Sequence, residues 1–428
     1  MKKIILYFTL LIMIMSALVF SSFASEDKTG KVMDEFLSEN GRTLCVSDRG
    51  DCENYPENTV GGILSAHKQG ADIVLCNVSV TKDSVPVLLD SDNASKMFSK
   101  DIGDISAVSY ADIADIKLRL SHGGGARDIT DKTVDTLSNA LKKTQDTVLM
   151  LDVKENDLDI VYETVKQSGR TDSVIFYAGH IKPDTLKTFI SSKNEKPNVM
   201  TYFKGNVIFS AVSYVKSSLE AGANGVCLAT KNPYGVVFGE TVMGKFTTGA
   251  RAMAMLSRPE ICGKIRRDNA TWYSDLISRG YNMILTNEPK ALKEYIKQAD
   301  EAKKELETTY ADLCRNYTLP EYKASSYRDY KKAYADAKTK AESILSDNSP
   351  ALSDILSAQS ELKYAYDNIQ NDADLLKNGT AGVTITVPRI ITAVLVVAGI
   401  TAGEVFIAKH TKKKNSSNNK SDIKGEKS

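Results

Sequence analysis

Six polar residues stand at the ends of short apolar runs: Asp48 with Arg49, then Asn77, Asp90, and Asp152 with Lys154. If those ends share one face, they form an oxygen-rich cluster beside two cations. Such a cluster could hold a hard cation through carboxylate and amide oxygens. It could also move protons, provided crowding and burial raise an aspartate toward neutral pH. An ordinary aspartate with a pKa of about 4 is otherwise a poor acid there, whereas histidine near 6.5 is suited to it. The histidines are His67, His122, His180 and His410, and none falls at these run ends. Arg49 and Lys154 point to phosphate or another anion, because charged groups at such positions are rarely needed for packing. An internal ion pair with Asp48 or Asp152 would account for them equally.

The elements that must position these residues alternate. Strand-like segments are expected at 43–48, 72–80, 148–153, 173–177, 198–203, 225–230, 251–256 and 282–286, each short and apolar as covered parallel strands must be. The stretch from Gly70 to Asp92 reads as a strand, a turn and a second short strand. Segments with helical spacing lie between the strands, and Gly70 and Gly280 are placed as helix stops. Asn58 is the expected cap of the first such helix. This is α/β alternation, and it fits a (β/α)8 TIM barrel better than an open doubly wound sheet. In such a barrel, chemistry belongs at the C-terminal strand ends, where the six polar residues stand.

From Pro289 the composition turns to Ala, Lys, Glu and Tyr. Tyr327, Tyr330, Tyr334, Ala337 and Ala341 share one helical face, and Ile355, Ala358, Leu362, Ala365 and Ile369 another. A helical hairpin or three-helix module is expected over 290–370, its tyrosines serving as core or as a binding face.

Both ends have membrane character. Residues 1–24 read as a signal peptide, with two lysines, an apolar run and a small-residue exit at Ala24. Residues 387–408 read as a single transmembrane helix, and 409–428 as a basic cytoplasmic tail. The expected topology is single-pass in the cell membrane, with the cytoplasmic membrane as a partner and the barrel extracellular. The six cysteines lack metal-site spacing, and pairing of Cys45 with Cys52 or free buried thiols are both open. With Lys+Arg 55 against Asp+Glu 54, no nucleic-acid footprint is present.

The strand-end motifs resemble the glycerophosphodiester phosphodiesterase family, whose members are phosphatidylinositol-phosphodiesterase-like TIM barrels. The family's "HRG" and "PENT" appear as Asp48-Arg49-Gly50 and Pro56-Glu57-Asn58-Thr59. Its second-strand motif appears as "GADIVLCNVSVTKDSVPVLLDSD", its "EIK" as Asp152-Val153-Lys154, and its closing motif as Thr286-Asn287-Glu288-Pro289. The likeness covers 42–289. It implies that Asp48 and Asp90 occupy the two acid–base histidine positions. Leu75, Asn77 and Asp152 would occupy the three metal-ligand positions, and Arg49 and Lys154 the phosphate-binding ones.

With both histidines, one metal carboxylate and one metal charge replaced, the resemblance implies a catalytically inactive, membrane-anchored extracellular member. Such a protein would bind a phosphodiester or anionic envelope ligand, or act as a surface scaffold. The alternative is an active phosphoric diester hydrolase with a rewired Asp-rich site using Ca2+ or Mg2+. Residues about 315–370 resemble the small helical modules of Gram-positive surface proteins, which implies cell-wall sugar contact or a spacer.

Overall fold

The computed structural model describes residues 28–179, 181–231, 235–258, 268–315 and 319–378. The strands, in chain order, are β1 (Leu44–Asp48), β2 (Ile73–Val80), β3 (Pro86–Leu88), β4 (Val148–Val153), β5 (Val174–Tyr177), β6 (Asn198–Lys204), β7 (Gly225–Ala229), β8 (Arg251–Met255) and β9 (Met283–Thr286). All but β3 run parallel, and β1 pairs with both β2 and β9, so the sheet closes on itself as an eight-stranded barrel. β3 pairs antiparallel with β2, completing the strand–turn–strand expected between Gly70 and Asp92.

The strands alternate between two apolar environments. Leu44, Val46, Ile73, Leu75, Val148, Met150, Ile175, Met253, Met283 and Leu285 fill the lumen. Their neighbours Val74, Cys76, Leu149, Leu151, Phe176 and Val226 pack outward against helices. Burying both faces explains the unbroken apolar runs, and each fully buried aliphatic side chain contributes roughly 1.5–3 kcal/mol. The covering helices include α1 (Lys28–Leu37), α2 (Val60–Lys68), α3 (Leu137–Lys143), α4 (Leu158–Gln167), α5 (Pro183–Ser192), α6 (Ile208–Glu220) and α7 (Ala270–Ser278).

α1 lies ahead of the first strand expected from the sequence, where no element is read. Its Met33 and Phe36 join the lumen cluster and stopper the N-terminal end of the barrel. The cap of α2 is Thr59, whose hydroxyl accepts from the Gly62 N–H, and not the expected Asn58. Asn58 takes a left-handed φ of 57° and turns its side chain to the barrel mouth.

β7 and β8 approach closely at Gly225, where a Cβ would lie 2.3 Å from the Arg251 carbonyl oxygen. Backbone in the next strand cannot step aside. Gly225→Ala is therefore expected to destabilise by about 1–3 kcal/mol or more. The reading is a lower urea midpoint at unchanged slope.

The chain leaves β9 into α8 (Pro289–Tyr310), followed by α9 (Ser325–Ser346) and α10 (Leu352–Lys377). Tyr327, Tyr334, Ala337, Ala341, Ile355, Leu362 and Ile369 form the core of this unit, so those two tyrosines are core, while Tyr330 is exposed. The α9–α10 turn docks on the barrel's N-terminal rim. Thr43 N–H donates to Ser349 Oγ (2.6 Å) and Asn348 Nδ2 to the Asn40 carbonyl (2.6 Å), while Leu352 N–H donates to Tyr295 Oη of α8 (3.0 Å).

The membrane reading requires correction. Among the described residues, no helix is long and apolar enough to cross a membrane. The long helices α8 to α10 have one apolar face, buried against one another and, for Leu292 and Tyr295, against the barrel, and a charged opposite face. That finding stands against a transmembrane helix, a membrane partner and a single-pass topology with an extracellular barrel. The segments 1–24, 387–408 and 409–428, on which that reading rested, lie outside the described residues. Cys45, Cys52, Cys76, Cys227 and Cys314 are free thiols, while Cys262 lies outside the described residues.

Candidate functional site at the barrel mouth

The strand alternation that sends Leu44, Val46, Ile73, Leu75, Val148 and Met150 into the lumen sends Asp48, Asn77 and Asp152 there too, one pleat higher. Register places them side by side. Asp48 is the Cα partner of Leu75, Asn77 of Asp152, and Asp152 of Tyr177. The sequence thus brings its β1, β2 and β4 candidates together at the C-terminal strand ends.

Asp48 is fully buried and fully committed. Arg258, just beyond β8, donates from Nε to Asp48 Oδ2 (2.8 Å) and from Nη2 to Oδ1 (2.9 Å), a bidentate fork. Ser257 Oγ donates to Oδ2 at 2.7 Å, and Arg49 Nε lies 3.4 Å from Oδ1. Burial pushes the Asp48 carboxyl up, but the two guanidinium charges and these hydrogen bonds overcome it and hold it well below the usual carboxylate range. Burial likewise works against charge on Arg258, and Asp48 outweighs it, with the Asp152 carboxylate adding to the attraction. Asn287, in the closing motif, steadies this arrangement by donating from Nδ2 to the Ser257 carbonyl at 2.6 Å.

A second centre forms on Glu57, which is also buried. It accepts from Arg49 Nη1 (2.8 Å) and Asn93 Nδ2 (2.9 Å), and pairs with His122 Nδ1 at 2.7 Å. Burial raises its carboxyl, yet His122, Arg49 and Asn93 together bring it below the ordinary value. Arg49 is therefore held between Glu57 and Asp48, in a left-handed backbone conformation (φ 63°) that Gly50 continues (φ 85°). The β3–α3 insertion, with its own small core of Leu89, Met97, Phe98 and Leu118, brings Asn93 and His122 to this carboxylate.

Asp90 begins the insertion. Its carboxyl is raised by burial and by the nearby charges of Glu57 and Asp92. Lys154 is exposed and pairs with Asp92 at 3.1 Å.

The divalent-ion expectation can be weighed on the donors. Leu75 is sealed in the lumen and has no donor atom. Asn77 turns its Nδ2 to donate to Asp152 Oδ2 (3.0 Å), presenting an N–H where a ligand oxygen would be needed. Its backbone N–H goes to Asn58 Oδ1 at 2.8 Å. Among the described residues no group of three or more His, Cys, Asp or Glu could hold a metal ion. The residues do not fit Ca2+ or Mg2+, which overturns the metal-dependent hydrolase with a rewired Asp-rich site.

Five participants received no site role from the sequence: Glu57, Asn93, His122, Ser257 and Arg258. Ser257 and Arg258 carried a usable signal, since they directly follow an apolar strand in the same way as Asp48 and Arg49. His122 and Asn93 lie in an irregular insertion whose path no periodicity reports. His180 lies outside the described residues.

A closed eight-stranded parallel barrel with charged groups gathered at its C-terminal strand ends defines a TIM-barrel protein with a mouth site. Within it, residues 49–207 match the model of the glycerophosphoryl diester phosphodiesterase family. No curated protein matches the chain. Similar solved structures include a glycerophosphodiester phosphodiesterase from Agrobacterium tumefaciens, at 16% identity over 59% of this chain and 99% of that one, with a TM-score of 0.46. A glycerophosphoryl diester phosphodiesterase from Parabacteroides distasonis is similar at 18% identity over 63% and 91%, with a TM-score of 0.49. An Oleispira antarctica phosphodiesterase in complex with sn-glycerol-3-phosphate is similar at 16% identity over 59% and 96%, with a TM-score of 0.48.

Proposed function

We propose that this chain is a non-hydrolytic barrel of the glycerophosphoryl diester phosphodiesterase type. Its mouth serves as a structural closure held by the Asp48–Arg258 pair. The observation that carries the reading is the commitment of Asp48 to Arg258 and Ser257. A group that shuttles protons near neutrality needs a pKa close to the working pH and an open path to substrate. Asp48 is buried, bidentately bound and driven in the opposite direction. The phosphate-binding roles implied for Arg49 and Lys154 face competition as well. A phosphate would have to displace Glu57 and Asp48 from the one and Asp92 from the other.

The purified protein is expected to show no turnover of glycerophosphodiesters or of a bis-aryl phosphodiester, with or without Mg2+, Ca2+ or Mn2+. Turnover that co-purifies with the protein and disappears in the Asp90→Asn or Lys154→Ala variant would defeat this reading.

A further inference from the structure

The disagreement between the mouth's residues and a divalent ion has a specific cause, and it is Arg258. We propose that the Arg258 guanidinium is the resident cation of this mouth, and that its presence and a divalent ion at β1, β2 and β4 are mutually exclusive. Three observations converge on it. The guanidinium is held bidentately by Asp48, whose lumen-facing position at the end of β1 adjoins Leu75 in register. Asp152 stands across β2 from Asp48, and its carboxylate adds to the attraction on the guanidinium. The lumen donors have adjusted to a monovalent, hydrogen-bonding cation. Leu75 offers no oxygen, and Asn77 spends an N–H on Asp152, which balances part of that carboxylate's charge without a metal.

Electrostatics explains the exclusivity. A divalent ion brought to the Asp152 side would face a fixed positive charge in a poorly solvated lumen, where repulsion is weakly screened. A guanidinium needs no dehydration of a tightly bound water shell and remains charged at any working pH. It also carries five N–H donors, of which Asp48 uses two, and a metal ion carries none. The side chain comes from the end of β8, so the charge is covalently part of the barrel and independent of ion supply.

The test restores the implied oxygen donors with and without the arginine. One variant carries Leu75→Glu and Asn77→Asp, and a second adds Arg258→Gln. Binding is read by the loss of the free-ion electron paramagnetic resonance signal of Mn2+ and by melting curves in Mn2+. The second variant is expected to bind Mn2+ at least about tenfold more tightly than the first, a difference of about 1.4 kcal/mol. Its melting temperature should rise by about 5 °C or more at an ion concentration ~100-fold above its dissociation constant. Equal binding by both variants, or by neither, overturns the proposal.

The unmodified protein supplies an arm that does not depend on either variant folding. Its melting curve and the Mn2+ spectrum should both be unchanged on mixing, and stabilisation by Mn2+ would overturn the proposal outright. The inference rests on the same Asp48–Arg258 pair as the proposed function. Its readout is ion occupancy and not turnover, so the two fail separately.

Discussion

Asp48→Ala is expected to destabilise the barrel by about 3–5 kcal/mol, the cost of leaving a buried charge without its partner. Arg258 would keep its charge and lose both fork contacts, and Ser257 Oγ would lose its acceptor. A side chain kept for catalysis behaves differently, because replacing it leaves stability unchanged or improves it. The direction of the stability change therefore reports which role Asp48 has. Asp48→His, which puts back the residue type implied by the family resemblance, should fare no better. An imidazole cannot accept two parallel N–H donors from a guanidinium.

The pH dependence has a definite sign. The folded Asp48 pKa lies below its unfolded value of about 3.9, so the unfolded chain binds more protons through that interval. The stabilisation is fully present above that unfolded value and is lost as pH falls toward the folded one. Urea midpoints of the unmodified protein and of the Asp48→Asn variant should be well separated at pH 6 and converge below about pH 4. Other depressed carboxylates such as Glu57 and Asp72 titrate in the same direction, so the difference between the two proteins is the quantity to read. A gap that stays constant through that range would show that the Asp48 charge is not what holds the pair.

The contrast between what the sequence discloses and what it conceals is physical. The eight barrel strands are legible because each is buried on both faces and leaves an unbroken apolar run, as in Val148–Val153. The helical unit is legible because Tyr334, Ala337 and Ala341 recur at helical spacing. α1 is concealed because only Met33 and Phe36 of its ten residues are buried, against a lumen formed by strands distant in sequence. The mouth divides in the same way. Period-two alternation predicts that Asp48, Asn77 and Asp152 meet, whereas Arg258 is 210 residues from Asp48 and no local pattern pairs them. The Asp48 position separates what a motif specifies from what it leaves open. Its place at a strand end is inherited from the fold, while its chemistry is decided by the partner that closes on it.

The opposite end of the barrel is governed by another buried arginine, and removing it is the second large effect. Arg251, at the start of β8, has no solvent exposure. It donates from Nε to the Phe36 carbonyl (3.0 Å) and from Nη1 to those of Gly41 (3.2 Å) and Arg42 (3.3 Å). It thereby fastens the C-terminal part of α1 and the residues that follow it to the barrel. Burial pushes its pKa down to about 10, with Glu35 opposing, so the guanidinium is held at a cost and remains charged at neutral pH.

In Arg251→Met that cost disappears, but three carbonyls lose their donor, each worth about 1–3 kcal/mol when left buried and unpaired. The stranded acceptors outnumber the single relieved charge, and the net loss is expected to be about 2–4 kcal/mol. Arg251→Lys should recover only part of it, since a compact ammonium cannot span the positions reached by a planar fork. The N-terminal stopper then loosens before the barrel does. Proteolysis within 28–41 should accelerate in Arg251→Met while the strands stay protected, and the urea midpoint should fall. An unchanged midpoint with α1 still protected would mean that Met33 and Phe36 hold the stopper by apolar contact alone.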